Sequence, residues 1–292
     1  PRVLARCFSV KIIPLFIRFH LPYNLLPKTY NLQPNHMSSW SQRRKASYSL
    51  GIIIFLFIVL VLPAYLLLYK KPTCFDNKKN GGEKGVDCGG PCANLCRSQY
   101  LEPNVRWAQS IQVKPGLYNA LAYIENPNID AGVDSVEYIF KIKDKDGVLI
   151  YERKGKTFIP PNRSFAVFEG GILTGEKIPT KVTFEFTSYS VWKKLENKEA
   201  GLSIMNEKIS NEDESPRLDA TLENNTIQPI LNIEVVVIAY DESGNALGFS
   251  RTFIDKINKG ESQNITFTWP NPFGSDIAKI EIIPRVMNSS QK

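Results

Sequence analysis

Hydrophobic and polar positions divide this 292-residue chain into two unlike parts. From Leu50 to Leu68 the sequence LGIIIFLFIVLVLPAYLLL holds no charged side chain. As an α-helix at ~1.5 Å per residue, that run is roughly 28 Å long, which matches a hydrocarbon core of about 30 Å. The pattern predicts one membrane-spanning helix over residues 49–69. Pro63 is the only breaker inside it and is expected to kink the helix without stopping it. Tyr48, Tyr65 and Tyr69 flank the run, where aromatic rings favour the headgroup zone. A core helix is seldom apolar on every face. The LLLYKK that closes the run lacks the small residues of a signal-peptidase site, so the span reads as an uncleaved anchor.

Beyond Leu101 the period changes from helical to alternating. VEYIFKIKD (136–144), VLIYERKGKTF (148–158), SFAVFEGGI (164–172) and KVTFEF (181–186) carry β-branched or aromatic residues at every second position. Asp146-Gly147 marks a tight turn between the first two. A second set follows: RLDATLEN, NIEVVVIAYD, ALGFSRTFI, SQNITFTW and AKIEIIPRV. Glu125-Asn126 aligns with Glu223-Asn224, Asp144 with Asp241, Gly147 with Gly244, Thr157-Phe158-Ile159 with Thr252-Phe253-Ile254, Ser164 with Ser262 and Lys181 with Ala278, at offsets of 95 to 98 residues. Such an offset fits a duplicated domain and is too long for a solenoid unit. The predicted fold is therefore all-β after the helix: two tandem immunoglobulin-like β-sandwiches over residues 104–192 and 200–287, with a tail at 288–292. Val136, Tyr138, Phe140 and Ile142 are expected to face one core, and Ile233, Val235, Val237 and Ala239 the other. Without a Cys-Trp-Cys centre, each sandwich is expected to rely on apolar packing alone. KKLENKEAG and NEDESP read as solvated connectors, one of them a short helical turn.

Charge sharpens the division. Arg2, Arg6, Lys11, Arg18, Lys28, Arg43, Arg44 and Lys45 precede Leu50 with no acid among them, and they account for the whole net charge of +7. The rest is near neutral and shows no basic stripe, so nucleic acid is excluded as a partner. The same arm, residues 1–48, favours a cytoplasmic N-terminus, although Lys70 and Lys71 on the far side weaken the local count. Met37, followed by SSWSQRRKASYS, reads as the start of a signal-anchor protein, which would leave residues 1–36 upstream of the true start. Both histidines, His20 and His36, lie in the arm, so triad, Cys-His and His-zinc chemistry are excluded from the main body.

Between helix and sandwiches, residues 72–98 carry Cys74, Cys88, Cys92 and Cys96 in a Gly- and Asp-rich segment too small to bury a core. Disulfides outside the cytoplasm fit best, with three pairings open, while the spacing of the four is unlike the usual C-x2-C pairs of zinc sites. Cys7, on the reducing side, is expected to stay a free thiol. Asp76, Asn80, Glu83 and Asp87 stand among glycines as candidate oxygen ligands for calcium, set against their ordinary use in turns.

The string C-x-D-x-x-x-N-x-x-E-x-G-V-D-C-G-G-P-C, running from Cys74 and closed by Cys96, resembles the short cysteine module of bacterial single-pass surface and adhesion-type proteins. The order E-N, long strand, D-x-x-G, strand, T-F-I-x-P-N-x-S is similar to the FxLYD-type immunoglobulin-like domains of bacterial membrane-anchored proteins. The second copy departs from it at Asn258-Lys259-Gly260. These resemblances imply surface display, a binding or spacer module, and no reaction.

The function expected from the sequence is non-enzymatic: a protein of the cell membrane, crossing it once with its C-terminal domains outside, that binds a protein or cell-envelope component or acts as an envelope scaffold. An accessory subunit of a secretion or pilus-like machine is the alternative, and a cell-wall hydrolase using carboxylates such as Glu169 and Glu185 comes third, since no spacing singles out that pair. Asn162, Asn224, Asn264 and Asn288 begin N-x-S/T triplets that matter only on a eukaryotic secretory route.

Overall fold

The structure is a computed structural model that describes residues 39–189 and 191–287. Residues 1–38, which include Cys7, His20, His36 and Met37, lie outside the described residues, as do Asn288 and the rest of the tail at 288–292. The chain separates into residues up to Lys70 and residues from Lys71 onward.

The first unit is helical. Helix α1 (Ser39–Leu56) passes through a π-helical turn (Phe57–Val61) into α2 (Leu62–Leu68). Pro63 explains the wide turn, because it has no N–H to offer the Val59 carbonyl and its ring would press on that group. Letting the Leu62 N–H reach back five residues to the Phe57 carbonyl absorbs the defect, and the helix continues. The span Trp40–Leu68 is long and apolar enough to cross a membrane, and none of it is buried by protein.

The second unit is all-β after its cysteine module. Strands β1 (Asn104–Lys114), β2 (Leu117–Asn126), β3 (Ala131–Lys143), β4 (Leu149–Ile159), β5 (Arg163–Leu173), β6 (Lys181–Tyr189) and β7 (Trp192–Lys194) form the first sandwich. Its sheets are ordered β1-β2-β5 and β4-β3-β6, with β7 also paired to β3, and every pairing is antiparallel. Strands β8 (Leu202–Ser210), β9 (Arg217–Asn224), β10 (Ile230–Tyr240), β11 (Ala246–Ile257), β12 (Ser262–Thr268) and β13 (Lys279–Val286) form the second, ordered β12-β9-β8 and β11-β10-β13. Val136, Tyr138, Phe140 and Ile142 fill the first core as the alternation predicts. Ile233, Val235 and Val237 fill the second, and Ala239 is buried too.

Motifs shared by the two sandwiches do the same mechanical work in each. Asn126 is buried, and its amide donates to the carbonyls of Ala131 and Pro160. Asn224 does likewise to Gln228, Ile257 and Asn258. Each ties the β2–β3 or β9–β10 connection to the end of the neighbouring long strand. At the hairpins, Asp144 and Asp241 accept main-chain N–H groups from Val148 and Asn245, while Gly147 and Gly244 take φ +79°, a conformation costly for a side chain.

The sandwiches are not beads on a string. The outer face of β1-β2-β5 packs on the outer face of β11-β10-β13, so the four sheets are stacked as layers. Leu121 and Ala166 meet Val236, Ile238, Tyr240, Phe249 and Ile283 in a third core between them. Strand β10 is consequently buried on both faces. The buried pattern extends one sequence expectation and corrects another. Each sandwich has an apolar core, but the junction between them is not held by apolar packing alone, because Arg285 of β13 is fully buried there. Its Nη1 donates to the Ala166 carbonyl (2.7 Å) and to Glu234 (3.3 Å), and its Nη2 to Thr157 Oγ1 (2.8 Å) and the Phe158 carbonyl (3.1 Å). Nor is KKLENKEAG simply solvated: the helical turn is there (Lys198–Gly201), but Glu199 is buried in it, accepting from the Val286 N–H at 2.8 Å and pairing with Arg163 at 3.5 Å.

An unpaired buried cation is far more expensive than a lost ion pair, which sets the expected response to mutation. Glu234→Gln should destabilise the chain by about 3–5 kcal/mol, while the double change Glu234→Leu with Arg285→Met should recover much of that loss. Urea unfolding of the three proteins checks this, and a Glu234→Gln midpoint equal to wild type would contradict it.

Candidate functional site

Two places concentrate chemistry: the cysteine module and the sandwich junction. In the module, disulfides join Cys74 to Cys92 and Cys88 to Cys96, an interleaved pairing that is one of the three open connectivities. The glycines of the signature have steric reasons. A Cβ on Gly85 would come within 2.7 Å of Cys88 Sγ, and Gly90 holds φ +62° with the Gly82 carbonyl lying where its Cβ would be.

The four oxygen-bearing residues share one loop, and each carboxylate caps backbone there. Asp87 accepts from the N–H groups of Asp76 (2.9 Å) and Asn77 (2.9 Å). Glu83 accepts from those of Asn80 (3.3 Å) and Asp87 (3.2 Å). Asp76 accepts from the Asn80 amide (2.8 Å) and the Lys78 N–H (2.9 Å), and the Asn80 bond leads in drawing its pKa below the ordinary value. Among the described residues, the one trio of His, Cys, Asp or Glu ligand atoms close enough to share an ion is Cys74, Glu83 and Cys92, and both of its sulfurs are spent in a disulfide. Glu83 Oε1 does lie 3.3 Å from Cys92 Sγ, but that sulfur carries no hydrogen to donate.

The module is also fastened to the first sandwich. The Leu95 N–H donates to the Trp192 carbonyl (2.8 Å), and that of Lys194 to the Ala93 carbonyl (2.9 Å). Leu95 enters the sandwich core, and Tyr100 stacks on Trp192 at 4.4 Å.

At the junction, two groups of side chains bridge the sandwiches. On one side Tyr123 and Tyr240 both donate to Glu281, at 2.7 and 3.1 Å, with Trp107 stacked on Tyr123. Burial, with the Glu281 carboxylate adding to it, pushes the Tyr123 hydroxyl up to about 12 and that of Tyr240 in the same direction. On the other side a cleft of about 460 Å³ opens over the Arg285–Glu234 pair. Tyr138, Phe168, Arg251 and Phe253 wall it, with Lys156 and Asp255 also lining it. Its size and its position between domains are those of small-molecule sites. Sequence reasoning missed this cleft. Its signal was the unbroken apolar run VVVIAY (235–240) in β10, which a strand with one wet face would not need.

Of the carboxylates considered for hydrolysis, Glu169 accepts from the Tyr138 hydroxyl and pairs with Arg153 at 3.4 Å, whereas Glu185 sits on the other sheet of the sandwich, 3.9 Å from Lys141.

No protein-family model and no curated protein matches the chain. Among solved structures, red sea bream transglutaminase aligns with 64% of this chain and 31% of its own length, at 7% identity and a TM-score of 0.22. A β-glucuronidase from glycoside hydrolase family 2 aligns over 60% and 24%, at 12% identity and 0.20. Bacteroides uniformis β-glucuronidase aligns over 61% and 25%, at 12% identity and 0.23. The chain spans about a quarter to a third of these proteins, and likeness at this level carries no inference about activity.

Because disulfides and backbone caps account for the module, its thiols should resist alkylation in denatured protein until a reductant is added. A chelator should likewise leave the thermal midpoint in place. Labelling of Cys88 or Cys96 without reduction would contradict the pairing, and a lowered midpoint would put calcium on Asp76, Asn80, Glu83 and Asp87.

Proposed function

We propose that the chain is a single-pass membrane protein that displays a rigid double sandwich outside the cytoplasm, where it binds or scaffolds another component of the envelope without catalysis. The observation that carries this reading is the pair of interleaved disulfides beginning six residues after the apolar helix ends at Leu68. Disulfides persist in oxidising compartments, and a helix this apolar puts the chain in a bilayer. The basic, acid-free stretch around Arg43, Arg44 and Lys45 then belongs on the cytoplasmic side. Outline and signature both fit the surface-protein resemblance: an anchor, a cysteine module and immunoglobulin-like domains in that order. The module's bonding to β7 supports display of one stiff body rather than a loose stalk.

Topology is the point to test. A specific protease site inserted in the exposed turn at residues 211–215 should be cut by protease added to sealed spheroplasts. Protection until lysis would place the sandwiches in the cytoplasm and overturn the reading.

A further inference from the structure

We propose that the cleft between Phe168 and Phe253 binds an organic carboxylate carried on a flat apolar body, with Arg251 as the anion-binding group. This goes beyond surface display and holds on either side of the membrane.

Charge at the cleft floor is the first argument. Glu234 is the carboxylate partner of two guanidinium groups, those of Arg285 at 3.3 Å and Arg251 at 3.2 Å. One positive charge is therefore left over in a largely dry place, where an anion is favoured. Lys156 and Asp255, which also line the cleft, offset one another in this count, and of the acids close by Glu169 pairs with Arg153 and Glu199 with Arg163.

Geometry is the second. Arg251 is held between two rings, its guanidinium carbon 4.8 Å from the centre of Phe168 and 4.9 Å from that of Phe253. Its Nη1 carries the bonds to Glu234 and to the Phe168 carbonyl. Nε and Nη2 make no hydrogen bond among the described residues, and the side chain is about one-third exposed. A guanidinium fixed on one edge and open on the other is preorganised for a carboxylate in the two-point fashion that arginine favours.

Comparison with Arg285 is the third. That guanidinium also lies against two rings, Phe158 at 4.4 Å and Phe165 at 5.1 Å, and there protein oxygens occupy both terminal nitrogens. Phe158 and Phe253 hold matching places in the two Thr-Phe-Ile segments, yet Phe158 is buried and Phe253 is 57% exposed. The open arginine and its uncovered ring form the same arrangement with one side unfilled. A carboxylate would fill the free edge, and its apolar body would cover Phe253.

Benzoate is the probe, and benzamide is its neutral isostere. Both are titrated against the full-length chain in lipid nanodiscs by saturation-transfer NMR, with empty discs as reference. Benzoate should saturate, benzamide should bind at least about tenfold more weakly, and Arg251→Gln should remove that preference, the change expected for one charge-assisted pair. Phe253→Ser, at an exposed position, should weaken both probes while leaving the melting temperature unchanged, so it reports on the cleft even if Arg251→Gln proves unstable. Equal binding of the two probes, no saturable benzoate signal, or benzoate binding undiminished by either variant would overturn the proposal.

Discussion

The arrangement depends on a guanidinium placed where charges are expensive. Arg285 leaves the second sandwich and ends in the first, with protein oxygens around both terminal nitrogens and aromatic rings beside its plane. Burial lowers its pKa, opposed first by Glu234 and then by Glu199. A charge so deeply desolvated is tolerable only when its partners are held in place. Those partners come from β4, β5 and β10, so the two terminal nitrogens are satisfied only if both sandwiches are folded and docked. Specificity of docking follows from that requirement, because a slipped interface would strand the charge.

Around this point, apolar and polar contacts divide the labour. Leu121, Ala166, Val236, Ile238 and Ile283 provide non-directional adhesion between the facing sheets. Gln109 to the Ala246 carbonyl, Asn271 to the Val113 carbonyl, and the two tyrosines on Glu281 fix the register around them. The connector contributes as well, since Glu199 links Arg163 of β5 to the last residue of β13. At the other end, the cysteine module extends the hydrogen bonding of β7 rather than dangling from it. The unit from Lys71 onward is thus held together by side chains distant in sequence.

Much of this was legible before any coordinates. Uninterrupted apolarity gave the helix, period-two alternation gave β3 to β6 and β9 to β13, and Asp-x-x-Gly gave the hairpins, because each of these signals is local. The cysteine signature pointed to disulfides but not to their pairing, which depends on how the loop folds over Gly85 and Gly90. No segment is assigned to β1, β2, β7 or β8 from the sequence, and in β8 the sequence LSIMNEKIS, with its half-exposed edge, alternates poorly. Arg285 and Glu234 read as ordinary outward positions of alternating strands. Their roles depend on what the opposite sheet brings, and no local period encodes that. The same limit hid the cleft, whose walls come from strands some 80 residues apart, such as those of Phe168 and Arg251.

If the junction makes one folding unit of the two sandwiches, their most protected amides must open together. Native-state hydrogen exchange on the full chain, followed with increasing denaturant, should bring the amides of β2 and β5 and those of β10 and β13 onto one common isotherm. Separate isotherms for the two sandwiches, each with its own free energy and denaturant slope, would show that they unfold independently and that Arg285 does not join them.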